Sequence, residues 1–293
     1  MERWRLLVDP PAPAARNMAV DEAMLWAVES GLAPPTLRLY RWAPPAVSLG
    51  YFQEWDQSLN ERACQEEGVD VVRRPTGGRA VFHDDEVTYA VVLPPDHPVG
   101  GRSVMEGYRR ISEALVAGLR RLGIDAKLAR PPAGPAPRGR EALAGACFDA
   151  ASRYELEWEG RKIVGSAQLR RASGAVLQHG SIPLRFDPER TARLLAPGGR
   201  GERFLRLILR ERAAGLSDAA GRDVGFDEAC AAIIAGFAET LGVQWQQGSL
   251  SQDEQALARR LEAERYGLDA YNRHRPTGRA GEGGGERMGH AAG

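Results

Sequence analysis

The segment Arg73-Arg74-Pro75-Thr76-Gly77-Gly78-Arg79-Ala80-Val81-Phe82-His83 constrains this chain most. Two adjacent glycines between β-prone runs let the backbone turn sharply and approach a ligand closely. A hairpin turn that needs positive φ accounts for the glycines by itself. The neighbours add a second reading, in which backbone N–H groups, the Arg79 guanidinium and the His83 imidazole line one ligand channel. Further on, Cys147-Phe148 precedes Gly160-Arg161-Lys162-Ile163-Val164-Gly165-Ser166-Ala167-Gln168. A cysteine can carry an acyl group as a thioester, and a nearby cation can hold it as the reactive thiolate. Cradle, thiol and lysine together suggest acyl transfer.

The surrounding pattern is α+β, with helices around mainly antiparallel or mixed sheets. Residues 17–30 read as a helix with Asn17 as cap and Gly31 as stop. Residues 36–41, 46–49, 70–73, 80–82 and 86–93 are short β-prone runs punctuated by Pro and Gly. Val104, Tyr108, Ile111, Leu115, Leu119 and Leu122 recur at helical steps, which predicts a helix over 103–122 with one face on a sheet. A strand is expected at 124–128 and a mobile loop over 130–145. Glu159-Gly160 marks a hairpin between 154–158 and 161–170, and Ser173-Gly174 marks the turn into 176–183. Helices are expected at 188–195, 203–212, 226–241 and 253–266. Residues 1–274 read as one catalytic domain ending in helices, and 275–293 as a disordered Gly-rich tail.

Charge narrows the choice of partners. The chain of 293 residues has 39 basic and 39 acidic side chains, so no overall field draws it to nucleic acid or to an anionic membrane. Charges through the first 30 residues leave no apolar core for a signal peptide, which predicts a cytoplasmic protein. The cysteines, Cys64, Cys147 and Cys230, fit neither a disulfide framework nor zinc spacing, so reduced thiols and no structural metal are expected. Arg109, Arg110, Arg120 and Arg121 on the long helix either meet an acidic carrier protein or form a solvated face.

The glycine segment resembles the signature of the biotin/lipoate protein ligase and octanoyltransferase superfamily. The resemblance extends to Asn17 through Leu25, to Ala46 through Tyr51, and to the lysine motif at Gly160–Gln168, covering roughly residues 1–270. Ala146-Cys147-Phe148-Asp149, Tyr154-Glu155-Leu156 and Gln178-His179-Gly180-Ser181-Ile182 are most similar to the LipM-type octanoyltransferases. The resemblance implies the catalytic-domain fold shared with biotin synthetases and class II aminoacyl-tRNA synthetases.

It also implies roles. Cys147 would carry the acyl group and Lys162 would contact its carbonyl. Arg73, Gly77, Gly78, Arg79, His83, Gly165, Ser166, Ala167, Gln168 and His179 would bind substrate. Gln168 and His179 also have the simpler task of satisfying backbone groups at a sheet edge, and His83 reads as pocket lining rather than as a base. The implied donor is octanoyl-acyl carrier protein and the implied acceptor a lipoyl domain, that of the glycine cleavage H protein, with no cofactor. The rivals are an ATP-dependent lipoate ligase, an amidotransferase taking acyl groups from H protein, and a lipoyl- or biotin-binding regulator without turnover.

Overall fold

The computed structural model describes residues 1–129 and 155–274. The expected loop at 130–145, Cys147 and the expected tail at 275–293 lie outside the described residues. Among those described, the strands form two mixed sheets. The larger contains β1 (Glu2–Val8), β2 (Thr36–Tyr40), β6 (Glu86–Leu93), β7 (Lys127–Leu128), β8 (Leu156–Trp158), β9 (Arg161–Arg170), β10 (Val176–Pro183) and β11 (Val243–Gln247). Its order is β11-β1-β2-β6-β10-β9-β8-β7. The β11-β1-β2 edge is parallel, and the pairs from β2 through β7 are antiparallel. The smaller sheet has β3 (Ala46–Leu49) at its centre, parallel to β4 (Asp70–Arg73) and antiparallel to β5 (Val81–His83).

β6 is buried along its whole length, and its pleat divides the core. Val87, Tyr89, Val91 and Leu93 face the cluster that includes Ile111, Leu115 and Leu119 of the long helix. Ala90 and Val92 face the opposite cluster, with Met18, Met24 and Leu25 of α1 (Ala14–Glu29). The long helix, Val104–Arg121, crosses the helix Phe226–Leu241 through small residues. A Cβ on Gly236 would lie 2.2 Å from the backbone nitrogen of Gly118.

Several boundaries depart from the sequence reading. α1 begins three residues earlier than expected, with Pro13 at its N-cap, so Asn17 lies inside the helix. The Asn17 amide instead donates to the carbonyls of Ala12 and Arg41, and its oxygen accepts from Arg38. Of the strand expected at 124–128, Lys127 and Leu128 alone pair with the sheet. The helix expected over 253–266 is Gln252–Leu261 followed by a π-helical turn, Glu262–Tyr266. The edge strand β11, its neighbour β1 and the short helices Glu61–Glu66, Leu216–Ala220 and Asp269–Arg273 were not expected. No described helix is long and apolar enough to cross a membrane.

Replacing Gly236 with alanine should force the two helices apart. The expected loss is about 1–3 kcal/mol, the usual cost of overpacking a close contact. A lowered urea midpoint at unchanged m-value would show it, and an unchanged midpoint would contradict the packing account.

Candidate active site

Two sheets meet around a cavity of about 280 Å³, and the glycine segment forms part of its wall. Met18 from α1 and Tyr40 and Trp42 at the end of β2 contribute bulk. Gly78 and Arg79 face it from the segment joining β4 to β5, His83 from the end of β5, and Lys162, Gly165, Ser166, Ala167 and His179 from β9 and β10.

Arg74 shapes the glycine turn. Its buried guanidinium donates to the carbonyls of Ser48, Gly77 and Arg79 and to the hydroxyls of Ser48 and Thr76, at 2.7–3.2 Å. These bonds curl the turn back over β3. Gly78 has φ +89, and a Cβ on Gly50 would come within 1.9 Å of the Gly78 carbonyl oxygen. Gly50 therefore permits the close approach, and Gly78 permits the turn itself.

Lys162 is aimed by an irregularity in its strand. In the β8–β9 pair Glu157 lies opposite Lys162 while Leu156 lies opposite Val164, so β9 carries one extra residue. Such a bulge re-aims side chains, and here residues 162 and 165 both reach the cavity although an unbroken pleat would part them. A Cβ on Gly165 would lie 3.0 Å from Lys162 Cε and 3.1 Å from Nζ, so the glycine leaves space for the lysine. The Lys162 ammonium donates to Glu155 Oε1 at 2.5 Å. Glu155 is 8% exposed, and burial pushes its carboxyl above the usual range although Lys162 pulls the other way.

Two histidines are held in place by carboxylates. His179 Nδ1 lies 3.0 Å from Asp21 Oδ2, and Nε2 lies 2.7 Å from the Thr76 hydroxyl. Burial depresses the His179 pKa below its ordinary value, against the pull of Asp21, so the ring is neutral. Its Nδ1–H then donates to Asp21 and its Nε2 accepts from Thr76. Burial would raise the Asp21 carboxyl, but the His179 bond and the Arg38 charge together hold it below the ordinary value. His83 lies between Ser48, at 2.7 Å from Nε2, and Glu86, at 2.8 Å from Nδ1, and stacks on Trp42.

The structure thus brings Lys162, Gly78, Arg79, His83, Gly165, Ser166, Ala167 and His179 to one cavity. Gly77 is in the turn but outside the lining. Arg73 points elsewhere: its guanidinium donates to the carbonyls of Gly50, Gln53 and Asn272, tying the chain near β3 to the last described helix. Gln168 also lies outside the lining, with its amide donating to Gln178, which in turn donates to Tyr89. Tyr89 bonds the Ser166 hydroxyl and, buried, is pushed up to about 12. Cys64 and Cys230 are buried in helices, and burial pushes their thiols up to about 11 and about 12, which leaves them inert. Sequence reasoning did not single out Arg74, Glu155, Thr76 or Asp21. Their partners are set by the folded glycine turn, by the β8–β9 bulge and by pairing between distant strands.

This arrangement belongs to a known class. Residues 13–238 match the lipoyl protein ligase A/B catalytic domain, and the chain belongs to that family. Curated relatives narrow the chemistry. An octanoyltransferase LipM from Kyrpidia tusciae is 47% identical, covering 93% of this chain and 99% of the relative. Another, from Symbiobacterium thermophilum, is 44% identical over 92% and 97%. Among solved structures, a lipoate protein ligase from T. acidophilum with bound lipoic acid superposes with a TM-score of 0.75 at 28% identity, covering 94% of this chain and all of that one. The chain is an acyltransferase of this fold.

The depressed pKa of His179 has a consequence for stability. The unfolded chain takes up a proton at this ring near its ordinary 6.5, while the folded chain resists it. The stabilisation is present above about 6.5 and is lost as pH falls toward the lower folded value. The melting temperature should therefore drop between pH 7.5 and pH 5.5 more steeply in the wild type than in His179→Gln. Parallel slopes would contradict the neutral assignment.

Proposed function

We propose that this protein transfers an octanoyl group from octanoyl-acyl carrier protein to the lysine of a lipoyl domain, that of the glycine cleavage H protein, through a thioester on Cys147. The observation that carries the reading is the Lys162 ammonium, held at the wall of a cavity whose other walls include Met18, Tyr40 and Trp42. The cavity offers apolar surface for an acyl chain and a fixed cation for its carbonyl. The lengthwise likeness to relatives named octanoyltransferase supports the choice of acyl group.

In the first half-reaction the Cys147 sulfur attacks the donor carbonyl. A new C–S bond forms, the bond to the carrier's phosphopantetheine sulfur breaks, and the proton from Cys147 leaves with that thiol. One thioester replaces another, so the step is nearly balanced. In the second half-reaction the acceptor amine attacks, a C–N bond forms, and the C–S bond to Cys147 breaks. The sulfur leaves as thiolate, and a proton lost by the amine restores the thiol. The amide is more stable than the thioester, so no nucleotide is required. In both steps the Lys162 ammonium offsets the charge that develops on the carbonyl oxygen.

The second reading is an ATP-dependent lipoate ligase, favoured by the likeness to the solved T. acidophilum ligase. Mixing the protein with octanoyl-acyl carrier protein and an apo lipoyl domain separates the two. Amide formation without ATP is expected, and Lys162→Ala should slow it by roughly a hundredfold, the loss typical of one oxyanion-stabilising donor. Acylation that requires free octanoate and ATP would establish the ligase instead.

A further inference from the structure

Glu155 is an expensive residue in this position. A carboxylate removed from water costs several kcal/mol unless it is paired and hydrogen-bonded. Its backbone carbonyl accepts from Ala129, which anchors the chain at the start of β8, and its side chain reaches the cavity wall. There it meets the Lys162 ammonium, which itself lies over Gly165, where the missing side chain leaves it room. Two features of the chain thus converge on one nitrogen: a buried anion on one side and an absent Cβ on the other.

We propose that Glu155 is the positioning residue of Lys162, holding the ammonium against Gly165 so that the lysine meets an acyl carbonyl in one fixed pose. The role rests on the acyl-transfer reading given above and adds to it a residue that must be ionised for the lysine to be in place. The charged and titratable groups around the carboxylate come from several elements. Lys162 of β9 and Arg79 of the glycine segment favour its ionised form, whereas Glu157 of β8 opposes it. Tyr108 of the long helix lies within electrostatic reach and, being buried, remains a phenol at neutral pH. Burial outweighs the two cations, so the carboxyl titrates above the ordinary range. Acyl transfer should then fall on the acid side as Glu155 takes up its proton and releases the lysine.

The test has two parts. The first is the pH profile of ATP-independent transfer in wild type, Glu155→Gln and Glu155→Asp. Glu155→Gln should lose at least about tenfold in kcat with KM within about twofold, the signature of a contact made in the transition state. The part of the acid limb that follows Glu155 should vanish, leaving the limbs of the Cys147 thiol and the acceptor amine. Glu155→Asp should recover part of the rate together with the missing part of the limb. Wild-type kcat and an unchanged acid limb in Glu155→Gln would overturn the proposal. The second part needs no turnover. The Glu155 carboxyl, assigned in a ¹³C-glutamate-labelled sample, should titrate above the ordinary range and move higher still in Lys162→Met. An unmoved titration in that variant would refute the pairing. A wild type that shows the coupled titration yet transfers nothing would overturn the acyl-transfer reading and leave the ion pair standing.

Discussion

The buried guanidinium of Arg74 is the contact on which the cavity depends. It sits where the small sheet meets the glycine turn, and it satisfies carbonyls at Ser48, Gly77 and Arg79 that the turn would otherwise leave unpaired. An unpaired buried carbonyl costs about as much as a lost hydrogen bond, so these partners decide which conformation the segment adopts. With the turn closed down, Gly78 touches the end of β3, and Arg79, Ala80 and Val81 come to line the cavity. The turn is thus held by a side chain from its own strand end, independent of any ligand.

A second layer of buried charge fixes the other walls. Asp21 accepts from Arg38, Tyr40 and His179, which links α1 to β2 and β10. Glu86 accepts from Ser181 and Trp42 and lies against His83, linking β6 to β10 and to the small sheet. Each network is fully internal, and each joins elements far apart in sequence. Buried polar networks of this kind specify one arrangement of the core more than they add net stability. The walls are accordingly held by the chain's own contacts, which is what the proposed pose of an acyl carbonyl against Lys162 requires.

Much of this fold was legible in the sequence because local pattern and tertiary demand agree. The runs at Ala46–Leu49, Asp70–Arg73, Glu86–Leu93, Arg161–Arg170 and Val176–Pro183 are strands with the expected ends, since Pro and Gly bound them closely. Where the two conflicted, tertiary contacts prevailed. Asn17 has the side chain of a helix cap, yet the carbonyls of Ala12 and Arg41 and the guanidinium of Arg38 claim it, and the helix starts earlier. β1 buries Trp4, Arg5, Leu6 and Leu7 in succession, which hides the period-2 alternation, and its parallel partner β11 is a five-residue strand far away in sequence. Arg73 and Arg74 are adjacent and look alike in sequence. Their places on β4 and just beyond it send one toward the last described helix and the other into the cavity wall. Tyr154-Glu155-Leu156 stands out in the sequence, but the partner of Glu155 does not, because the hairpin bulge that re-aims Lys162 sets it.

The central claim is an acyl-enzyme formed without nucleotide, and intact-mass measurement tests it most directly. The protein is mixed with octanoyl-acyl carrier protein in the absence of ATP, alongside Cys147→Ala. The account predicts one octanoyl group bound to the wild type and none to the variant. A wild type that stays unmodified, or an adduct that persists in Cys147→Ala, would contradict it.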